Sequence, residues 1–285
     1  MTFQKWNHPK TEFQRGNQLW KLRKPFSAWN KNLTKEIDKR VKRQSLSLKS
    51  TIKSGNYDKK FSNKNFIKNN AHILTPKLSY IYGVMLGDGY LNIKDRLINL
   101  DTKDKDFASF FYNVLFCWSG ITPRFYKYNH TYKYKNKVEI KQYYRVDLNS
   151  VDAVNILKNM KLVDITSSND EEIIGLFLRG LFDSEGCVDS TGYDIEFGIT
   201  NKKVINVYIF LLKRLDIITN KIMIEKEKKI DYKTSYSVNI KKNIVNYILF
   251  LKRVGITIER KRKLVEEKIS LYCNGHRNKI LKGVV

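Results

Sequence analysis

The sequence predicts an α+β protein made of two pseudo-symmetric α-β-β-α-β-β-α repeats. The first observation is that residues 79–89 and 175–186 read almost the same way, because each is an apolar helical stretch that ends in one acid and a glycine. Aligning Gly83 with Gly180 gives an offset of 97 residues (180 − 83), and self-similarity at a fixed offset indicates an internal duplication. The second observation is that the segments after these stretches match in type and order.

Small residues stand four apart on each predicted helix, at Gly83 and Gly87 in the first and at Gly180 and Ser184 in the second. Residues at this spacing share one helix face, and small side chains there let a second helix approach closely. One such pair usually reflects ordinary core packing, but two copies at the same place in a duplicated pattern favour a shared interface. We therefore expect the two helices to pack against each other.

One acid closes each apolar stretch, Asp88 in the first copy and Glu185 in the second, and the glycine after each acid suits a helix C-cap. Packing the helices along their small-residue faces would bring the two carboxylates to a common point. Carboxylates held together repel each other unless positive charge lies between them, and hard divalent cations prefer such oxygen ligands. The sequence therefore predicts a shared site for Mg²⁺ or Mn²⁺.

The remaining elements of each repeat follow from periodic and alternating apolar patterns. A strand leading into a helix comes after each acid, an alternating strand comes next, and a short helix closes each copy. These elements occupy residues 96–116, 141–148 and 151–160 in the first copy and residues 194–212, 234–240 and 243–254 in the second. Each alternating strand has one apolar and one polar face, which predicts an antiparallel sheet with helices on one side and the other side free for a partner.

This pattern resembles the LAGLIDADG family of homing endonucleases, in the form that carries two motifs in one chain, over about residues 75–255. The nine-residue motif corresponds to residues 81–89 and 178–186. The resemblance implies a pseudo-twofold fold whose motif helices form the central interface. It also implies that the two antiparallel sheets form a DNA-binding saddle.

The resemblance assigns residues to the metal site. It places the family's metal-binding acids at Asp88 and Glu185, and it implies that the backbone carbonyls of Gly87 and Ser184 help to ligate metal. Asp183 fills a further acidic position of the motif, where the first copy has leucine. Because residues two apart on a helix do not share a face, we interpret Asp183 as structural.

Members of this family often carry a basic residue just after the first long strand of each repeat, near the scissile phosphate. Lys103 and Lys202 occupy that place here, with Thr102 and Asn201 beside them. The resemblance implies that these lysines stabilise charge on the phosphoryl oxygens or order the attacking water. A plain phosphate contact or a solvated charge is the alternative interpretation.

The outward faces of the two alternating strands differ between the copies, and we expect them to contact DNA. Tyr143, Arg145 and Asp147 in the first copy stand where Ser235, Ser237 and Asn239 stand in the second. Arginine favours guanine and asparagine favours adenine through bidentate major-groove contacts, whereas serine discriminates little. The two halves are therefore expected to read different half-sites of a long, pseudo-palindromic double-stranded target.

The charge of the chain indicates a polyanionic partner. With 54 Lys and Arg against 28 Asp and Glu, the net charge is +26, which favours binding to a phosphate backbone. Residues 1–70 contribute 18 basic and 4 acidic side chains, a net charge of +14, and therefore form a distinct segment. We expect a basic DNA-binding extension over residues 1–72, repeats over 73–165 and 166–255, and a C-terminal basic helix within 256–285, running from about 257 to 271.

Within the extension, residues 26–41 resemble the small modular DNA-binding motifs appended to homing nucleases. Trp29, Asn30 and Lys31 match the start of a Trp-Asn-Lys-Gly-Leu-Thr pattern, although Asn32 replaces its glycine. A short helix capped by Thr34 would follow. The alternative is a basic disordered tail.

Several other classes of protein do not fit the sequence. The three cysteines and four histidines lie far apart, with no CxxC or HxxxH spacing, which argues against a zinc ribbon or a histidine-metal nuclease. No apolar run approaches the ~18 residues of a membrane span. Scattered thiols and the lack of a signal peptide predict an intracellular protein.

These observations predict a monomeric, site-specific and metal-dependent double-strand DNA endonuclease, the homing endonuclease of an intron or of a free-standing mobile element. An intron maturase, which binds structured RNA, and a non-catalytic DNA-binding regulator are the alternatives on the same scaffold. Both alternatives tolerate loss of the acids. This chain keeps Asp88 and Glu185, which favours the nuclease.

Overall fold

The computed structural model describes residues 38–43, 46, 73–134, 137–192, 194–225 and 234–282. Trp29, Asn30, Lys31 and Thr34 of the predicted modular motif lie outside these residues. Residues 39–43 are helical, and Asp38 accepts a hydrogen bond from the Arg40 amide at 2.7 Å where this turn begins. The described residues from 73 onward belong to one compact unit.

The first repeat has the predicted order of elements. Its first helix is capped by Thr75, whose hydroxyl accepts a hydrogen bond from the Leu78 amide at 3.2 Å. The elements are α1 (Pro76–Leu86), β1 (Tyr90–Asn92), β2 (Leu97–Thr102), α2 (Lys105–Ser119), β3 (Arg124–Tyr134), β4 (Lys137–Asn149) and α3 (Val151–Asn159). The four strands form an antiparallel sheet in the order β1-β2-β4-β3.

The second repeat has the same order of elements, and a short helix that was not predicted, α4 (Leu162–Thr166), connects the two repeats. The elements are α5 (Glu171–Glu185), β5 (Gly186–Val188), β6 (Ile195–Ile199), α6 (Lys202–Arg214), β7 (Met223–Glu225), β8 (Ser235–Asn239) and α7 (Ile244–Leu249). A π-helical turn over Phe250–Val254 continues α7. The strands form a second antiparallel sheet in the order β5-β6-β8-β7.

The two sheets share one register, which supports the internal duplication. Tyr90 pairs with Asn99 in the first sheet, and Cys187 pairs with Glu196 in the second. Both members of the pair are displaced by the same 97 residues (187 − 90 and 196 − 99). The predicted α+β fold of two repeats with antiparallel sheets is therefore confirmed.

The two motif helices, α1 and α5, pack closely against each other along the predicted small-residue faces. A β-carbon added at Gly83 would lie 2.4 Å from the carbonyl oxygen of Phe177, and one added at Gly180 would lie 2.3 Å from that of Tyr80. Both distances are far shorter than van der Waals contact, so the two backbones could not approach this closely with larger residues. The predicted interface between the motif helices is thus confirmed.

The core of each repeat lies between its sheet and its helices. The inward positions of the alternating strands are buried at Val146, Leu148, Val238 and Ile240, and Tyr144 and Tyr236 pack against the same core. This alternation matches the sequence pattern. It leaves polar and aromatic side chains on the opposite face of the first sheet and small polar side chains on that of the second.

The first motif helix ends earlier than expected. Gly87 rather than Gly89 is the C-cap of α1, because the amides of both glycines donate to the Val84 carbonyl, at 3.1 and 2.9 Å. Asp88 therefore lies in a turn beyond α1. In α5 the glycine after the acid is the C-cap, as expected, and Glu185 is the last helical residue.

The C-terminal helix α8 (Glu259–Lys282) extends beyond the predicted residues 257–271. Ile256, Ile258 and Val265 are at most 3% exposed, so the start of α8 and the segment before it belong to the apolar core. They do not form a separate basic element. Within the described part of the chain, no helix is both long enough and apolar enough to cross a membrane.

Candidate functional site

Asp88, in the turn after α1, and Glu185, the last residue of α5, lie where the two motif helices end. A β-carbon added at Gly87 would lie 2.5 Å from Cβ of Ser184 and 3.0 Å from Cγ of Glu185. The residue before the first acid therefore contacts the second acid and the residue before it. The packing of the two motif helices thus places one acid from each repeat at a common point.

Burial raises the pKa of both carboxyl groups at this point. The negative charge of Asp88 raises the pKa of Glu185 further, whereas the ammonium group of Lys261 lowers it. For Asp88, whose side chain is still open to solvent, Lys261 lowers the pKa and Asp104 raises it, both by less than burial does. The two acids therefore ionise less readily than in water unless positive charge is close.

The oxygen atoms at this point fit a hard divalent cation. Asp88 and Glu185 supply two carboxylates in a partly desolvated place, and oxygen ligands of this kind suit Mg²⁺ and Mn²⁺. No group of three His, Cys, Asp or Glu side chains suited to a metal occurs among the residues that the structure describes. An ion held by this acid pair would therefore also need carbonyl or water oxygens, and Gly87 and Ser184 precede the two acids directly.

A buried lysine from α8, which was not predicted, belongs to this centre. Lys261 is 6% exposed, and its Nζ donates to the carbonyl of Gly186 at 2.7 Å and to that of Asp183 at 3.4 Å. Burial lowers the pKa of Lys261, while the negative charge of Asp183 raises it. The signal in the sequence is weak but present, because Lys261 falls three residues after Ile258, on the apolar stripe of a charged helix.

The start of α8 is fixed to the first repeat as well. Arg260 makes two hydrogen bonds to the carboxylate of Asp104, at 2.9 and 3.0 Å, and the Glu259 amide donates to the carboxylate of Asp106. Asp104 is the N-cap residue of α2 but makes no side-chain capping bond, since its carboxylate is turned toward Arg260. The segment that places Lys261 beside the end of α5 is thus held by the first repeat.

Asp183 has the structural role that we inferred. Its carboxylate is 1% exposed and accepts hydrogen bonds from the Tyr80 hydroxyl at 3.0 Å and from the Thr257 amide at 2.9 Å. Burial raises its pKa to about 6, although these hydrogen bonds and the nearby Arg179 oppose the shift. Asp183 therefore joins α5 to α1 and to the segment before α8.

The two predicted basic residues are exposed, but they do not occupy equivalent positions. The N-cap residues of α2 and α6 are Asp104 and Asn201, which are separated by the same 97 residues as the motifs. Lys103 precedes the first cap, whereas Lys202 follows the second and is the counterpart of Lys105. The expectation that Lys103 and Lys202 are matched is therefore corrected by the structure, and their roles stay predictions.

The predicted DNA-facing residues of the first sheet form a connected set. Asp147 accepts hydrogen bonds from Asn99 Nδ2 at 2.5 Å and from Arg145 Nε at 3.1 Å, and Arg124 lies 3.9 Å away. Asp147 is only 8% exposed, so this geometry suits it to orienting Arg145 rather than to touching bases itself. Direct DNA contact by Tyr143 and Arg145 stays a prediction.

An aromatic cluster surrounds Tyr143 on the same outward face. Its ring stacks on Tyr128 with centroids 5.9 Å apart, and its hydroxyl is hydrogen-bonded to that of Tyr132. His130 packs on Tyr132 at 4.5 Å, and the ammonium group of Lys103 lies 5.5 Å from the Tyr143 ring centroid. The cluster therefore connects the predicted base-contacting strand to the predicted basic residue.

The corresponding face of the second sheet has small polar side chains. Asn99 pairs with Asp147 in the first sheet, and Glu196 pairs with Asn239 in the second, so Asp147 and Asn239 are at equivalent positions. By the same alignment, Ser237 is the counterpart of Arg145. The predicted correspondence between the two outward strands is confirmed, and the chemical difference between them is present in the folded protein.

Comparison with known families agrees with the resemblance found in the sequence. Residues 172–269 match the model of the LAGLIDADG-like domain, and this range covers the second repeat and the start of α8 with Lys261. The resemblance inferred from the duplicated motif is therefore confirmed over these residues, which are similar to the LAGLIDADG-like domain.

Two curated relatives come from Methanocaldococcus jannaschii. Over 195 residues the chain is 25% identical to glutamine–fructose-6-phosphate aminotransferase (isomerizing), a match that covers 67% of this chain and 17% of that protein. Over 216 residues it is 27% identical to the uncharacterized protein MJ0398, and this match covers 68% of this chain and 71% of that protein. The chain thus spans less than a fifth of the first relative.

Solved structures with a similar arrangement include two groups. The homing endonuclease I-DmoI in complex with DNA and Mn is 14% identical, with a TM-score of 0.44, and the match covers 64% of this chain and 98% of that one. Full-length DUF199/WhiA from Thermatoga maritima is 17% identical, also with a TM-score of 0.44, over 73% of this chain and 67% of that one.

Proposed function

We propose that the protein is a site-specific, divalent-metal-dependent endonuclease that cuts double-stranded DNA. The observation that carries this proposal is the meeting of one acid from each repeat, Asp88 and Glu185, at the end of a closely packed helix interface. Two partly desolvated carboxylates held together favour a cation between them. The net charge of +26 adds the expected affinity for a phosphate backbone.

The metal would be Mg²⁺ or Mn²⁺, held by Asp88 and Glu185 with the carbonyl oxygens of Gly87 and Ser184. When bound in such a site, a divalent cation makes water a stronger nucleophile and stabilises negative charge on phosphate oxygens. The exposed Lys103 and Lys202 would bind phosphate oxygens on either side of this point. Their different positions at the ends of β2 and β6 imply that the two DNA strands meet different basic groups.

DNA recognition would use the outward faces of the two sheets. Arg145, oriented by Asp147, presents a planar donor group suited to guanine, whereas Ser237 and Asn239 offer smaller polar groups on the other sheet. A protein with one acid centre and two unlike sheets would act as a monomer on a long target whose halves are related but different. The basic residues 1–72 would add contacts to the backbone.

The experiment that tests this function is selection of cleaved sites from a randomised or genomic DNA library in the presence of Mg²⁺. The expected result is one family of related sites cut on both strands by the natural chain and left intact by the Asp88→Asn variant. Cutting that persists in Asp88→Asn, or that needs no divalent ion, would contradict the proposal.

A second candidate function is non-catalytic DNA binding by a regulator. The observation that favours it is Lys261, because a buried ammonium group beside the acid pair supplies positive charge without any metal. The same library separates the two candidates. A regulator would enrich a specific site by binding, and that site would stay intact at every Mg²⁺ and Mn²⁺ concentration.

A further inference from the structure

We propose that Lys261 is a built-in cation of the acid centre, which replaces part of the positive charge that metal would otherwise supply and thereby weakens divalent-cation binding. The inference rests on the proposed function, since it concerns the site formed by Asp88 and Glu185. It adds a residue outside both motifs, from helix α8, which follows the second repeat.

The ammonium group of Lys261 is held in one place. Its hydrogen bond of 2.7 Å to the Gly186 carbonyl and its contact of 3.4 Å with the Asp183 carbonyl fix Nζ against the end of α5 and the start of β5. The Phe182 ring lies beneath it, with the centroid 5.6 Å from Nζ. A lysine with so little exposure cannot swing into solvent as a surface lysine does.

The rest of α8 also prevents Lys261 from withdrawing. One turn further along, Val265 is fully buried. On the other side, Arg260 is bound through two hydrogen bonds to Asp104. The ammonium group is therefore a permanent part of the centre and not a residue that arrives with a ligand.

Several charged groups near the acid pair interact with the ammonium group of Lys261. Lys261 interacts electrostatically with the Arg260 guanidinium, with the Cys187 thiol and with carboxyl groups in the turn after α1, in α5 and at the N-cap of α2; these carboxyl groups are Asp88, Glu185, Asp183 and Asp104. Arg260 and Asp104 are paired with each other, and the Asp183 carboxylate accepts hydrogen bonds from Tyr80 and Thr257. The charge of Lys261 lowers the pKa of both Asp88 and Glu185.

Cation affinity of an oxygen site depends on the charge of its ligands. With Lys261 present, the acid pair and the ammonium group together carry one net negative charge instead of two. An incoming divalent ion is also repelled by the charge on Nζ, in a place partly withdrawn from water. The site is thus expected to bind Mg²⁺ or Mn²⁺ more weakly than the same acid pair without the lysine.

Lys261 is at the same time a positioning residue for Glu185. The Gly186 carbonyl that it binds belongs to the residue directly after this acid, so Nζ orients the peptide that ends α5. A lysine with only this structural effect would support the site, and its removal would weaken metal binding. The electrostatic effect has the opposite sign, which makes the two roles separable.

The test is calorimetric titration of the full chain without DNA, using Mn²⁺ and Ca²⁺ as probes. Lys261→Gln keeps a hydrogen-bond donor for the Gly186 carbonyl but removes the charge, and Lys261→Met removes both. We expect the apparent dissociation constant for Mn²⁺ to fall by about tenfold in Lys261→Gln. Lys261→Arg, which keeps the charge, should bind Mn²⁺ as the natural chain does.

Two reference variants complete the experiment. Lys263→Met removes an exposed lysine of the same helix, which pairs with Glu259 at 2.8 Å, and should leave the dissociation constant unchanged. Asp88→Asn should abolish the binding that is being measured. Unfolding temperatures, recorded for all variants, show that each one is folded.

The outcomes are distinct. Unchanged or weaker Mn²⁺ binding by folded Lys261→Gln, with binding still abolished in Asp88→Asn, would overturn the role of Lys261 and leave the metal centre intact. If neither the natural chain nor Lys261→Gln binds Mn²⁺ or Ca²⁺ through Asp88, the metal centre and the built-in cation are both rejected. Tighter binding by Lys261→Gln but not by Lys263→Met supports the proposal.

Discussion

Arg260 binds the carboxylate of Asp104 through two hydrogen bonds, of 2.9 and 3.0 Å, and so joins the C-terminal helix to the N-cap of α2 in the first repeat. This contact connects the helix that follows the second repeat to the first repeat. The second repeat has Asn201 at the equivalent cap, and that residue accepts a hydrogen bond from the Lys203 amide in the ordinary way. The side chain at this position therefore caps its own helix in the second repeat, whereas in the first repeat it binds α8.

Replacing Arg260 by methionine should destabilise the protein slightly more than replacing a neighbouring arginine. The side chain of Arg260 is largely exposed, so its pair with Asp104 contributes about 1 kcal/mol or less. Arg262→Met, which removes an exposed pair with Glu266 at 3.5 Å, is the matched control. Chemical denaturation of both variants measures the difference, and equal stabilities would show that the Arg260 contact does not anchor α8.

Neutralising one acid of the pair should abolish cleavage but not DNA binding. In Asp88→Asn or Glu185→Gln the site loses a metal ligand, and we expect double-strand cutting to fall to background. Specific binding, measured by gel shift with a selected target, should persist. Mg²⁺-dependent cutting by either single variant would show that the acid is not required.

The same substitutions should raise the unfolding temperature in the absence of metal. Burial raises the pKa of both carboxyl groups in the folded protein, and an acid with a raised folded-state pKa destabilises the fold as the pH rises above its unfolded value. Asn or Gln removes this cost at neutral pH. A lower unfolding temperature for both variants in EDTA would contradict the repulsion inferred at this point.

Replacing Gly83 by alanine should open the helix interface. The added β-carbon would lie 2.4 Å from the Phe177 carbonyl oxygen, so the backbones must separate at a cost of about 1–3 kcal/mol. Gly198→Ala is the matched control, because its β-carbon would come no closer than 3.6 Å to Ser237. Denaturant midpoints should fall for the first variant only, and similar midpoints would show that α1 and α5 can adjust.

Arg145→Ala should relax base preference on one side of the cleavage point only. A good bidentate contact contributes about 1–3 kcal/mol of discrimination, and Ser237 holds the equivalent place in the other half. Asp147→Asn should weaken the same preference, because Asp147 orients Arg145 through a hydrogen bond of 3.1 Å. Selection of cleaved or bound sites measures both profiles, and a change on both sides would refute the assignment.

A chain that begins near Ile73 should still fold and cut DNA at low salt. The cap of α1 is supplied by Thr75, and residues 1–70 carry a net charge of +14 but none of the repeat. Removing them should weaken binding and reduce the slope of log K against log salt. An insoluble or inactive truncation would show that the folded repeats depend on this segment.

Much of the fold could be predicted because the duplication is local and regular. Two stretches with the same spacing of small residues determine the interface, and the acids come at the end of each stretch. The alternating strands reveal their buried faces directly. These features depend on residues that are close in sequence. Once they predict that the two helices pack together, the meeting of Asp88 and Glu185 follows.

The parts that were missed depend on distant contacts. Lys261 is one cation among many on a charged helix, and only the folded structure shows that it reaches Gly186. Asp147 stands on the outward face by alternation, yet Asn99 and Arg145 enclose it. The end of α1 depends on which amides reach the Val84 carbonyl. The two similar motifs differ here, because α1 ends before its acid and α5 ends with its acid.

The position of Lys261 also has a consequence for the order in which the molecule is completed during synthesis. The lysine follows Gly186 by 75 residues and belongs to the last described helix. A growing chain can therefore join its two motif helices, and face the repulsion between Asp88 and Glu185, before the residue that relieves it leaves the ribosome. The last described helix therefore adds its stabilising charge to the acid pair only after both repeats have been synthesised.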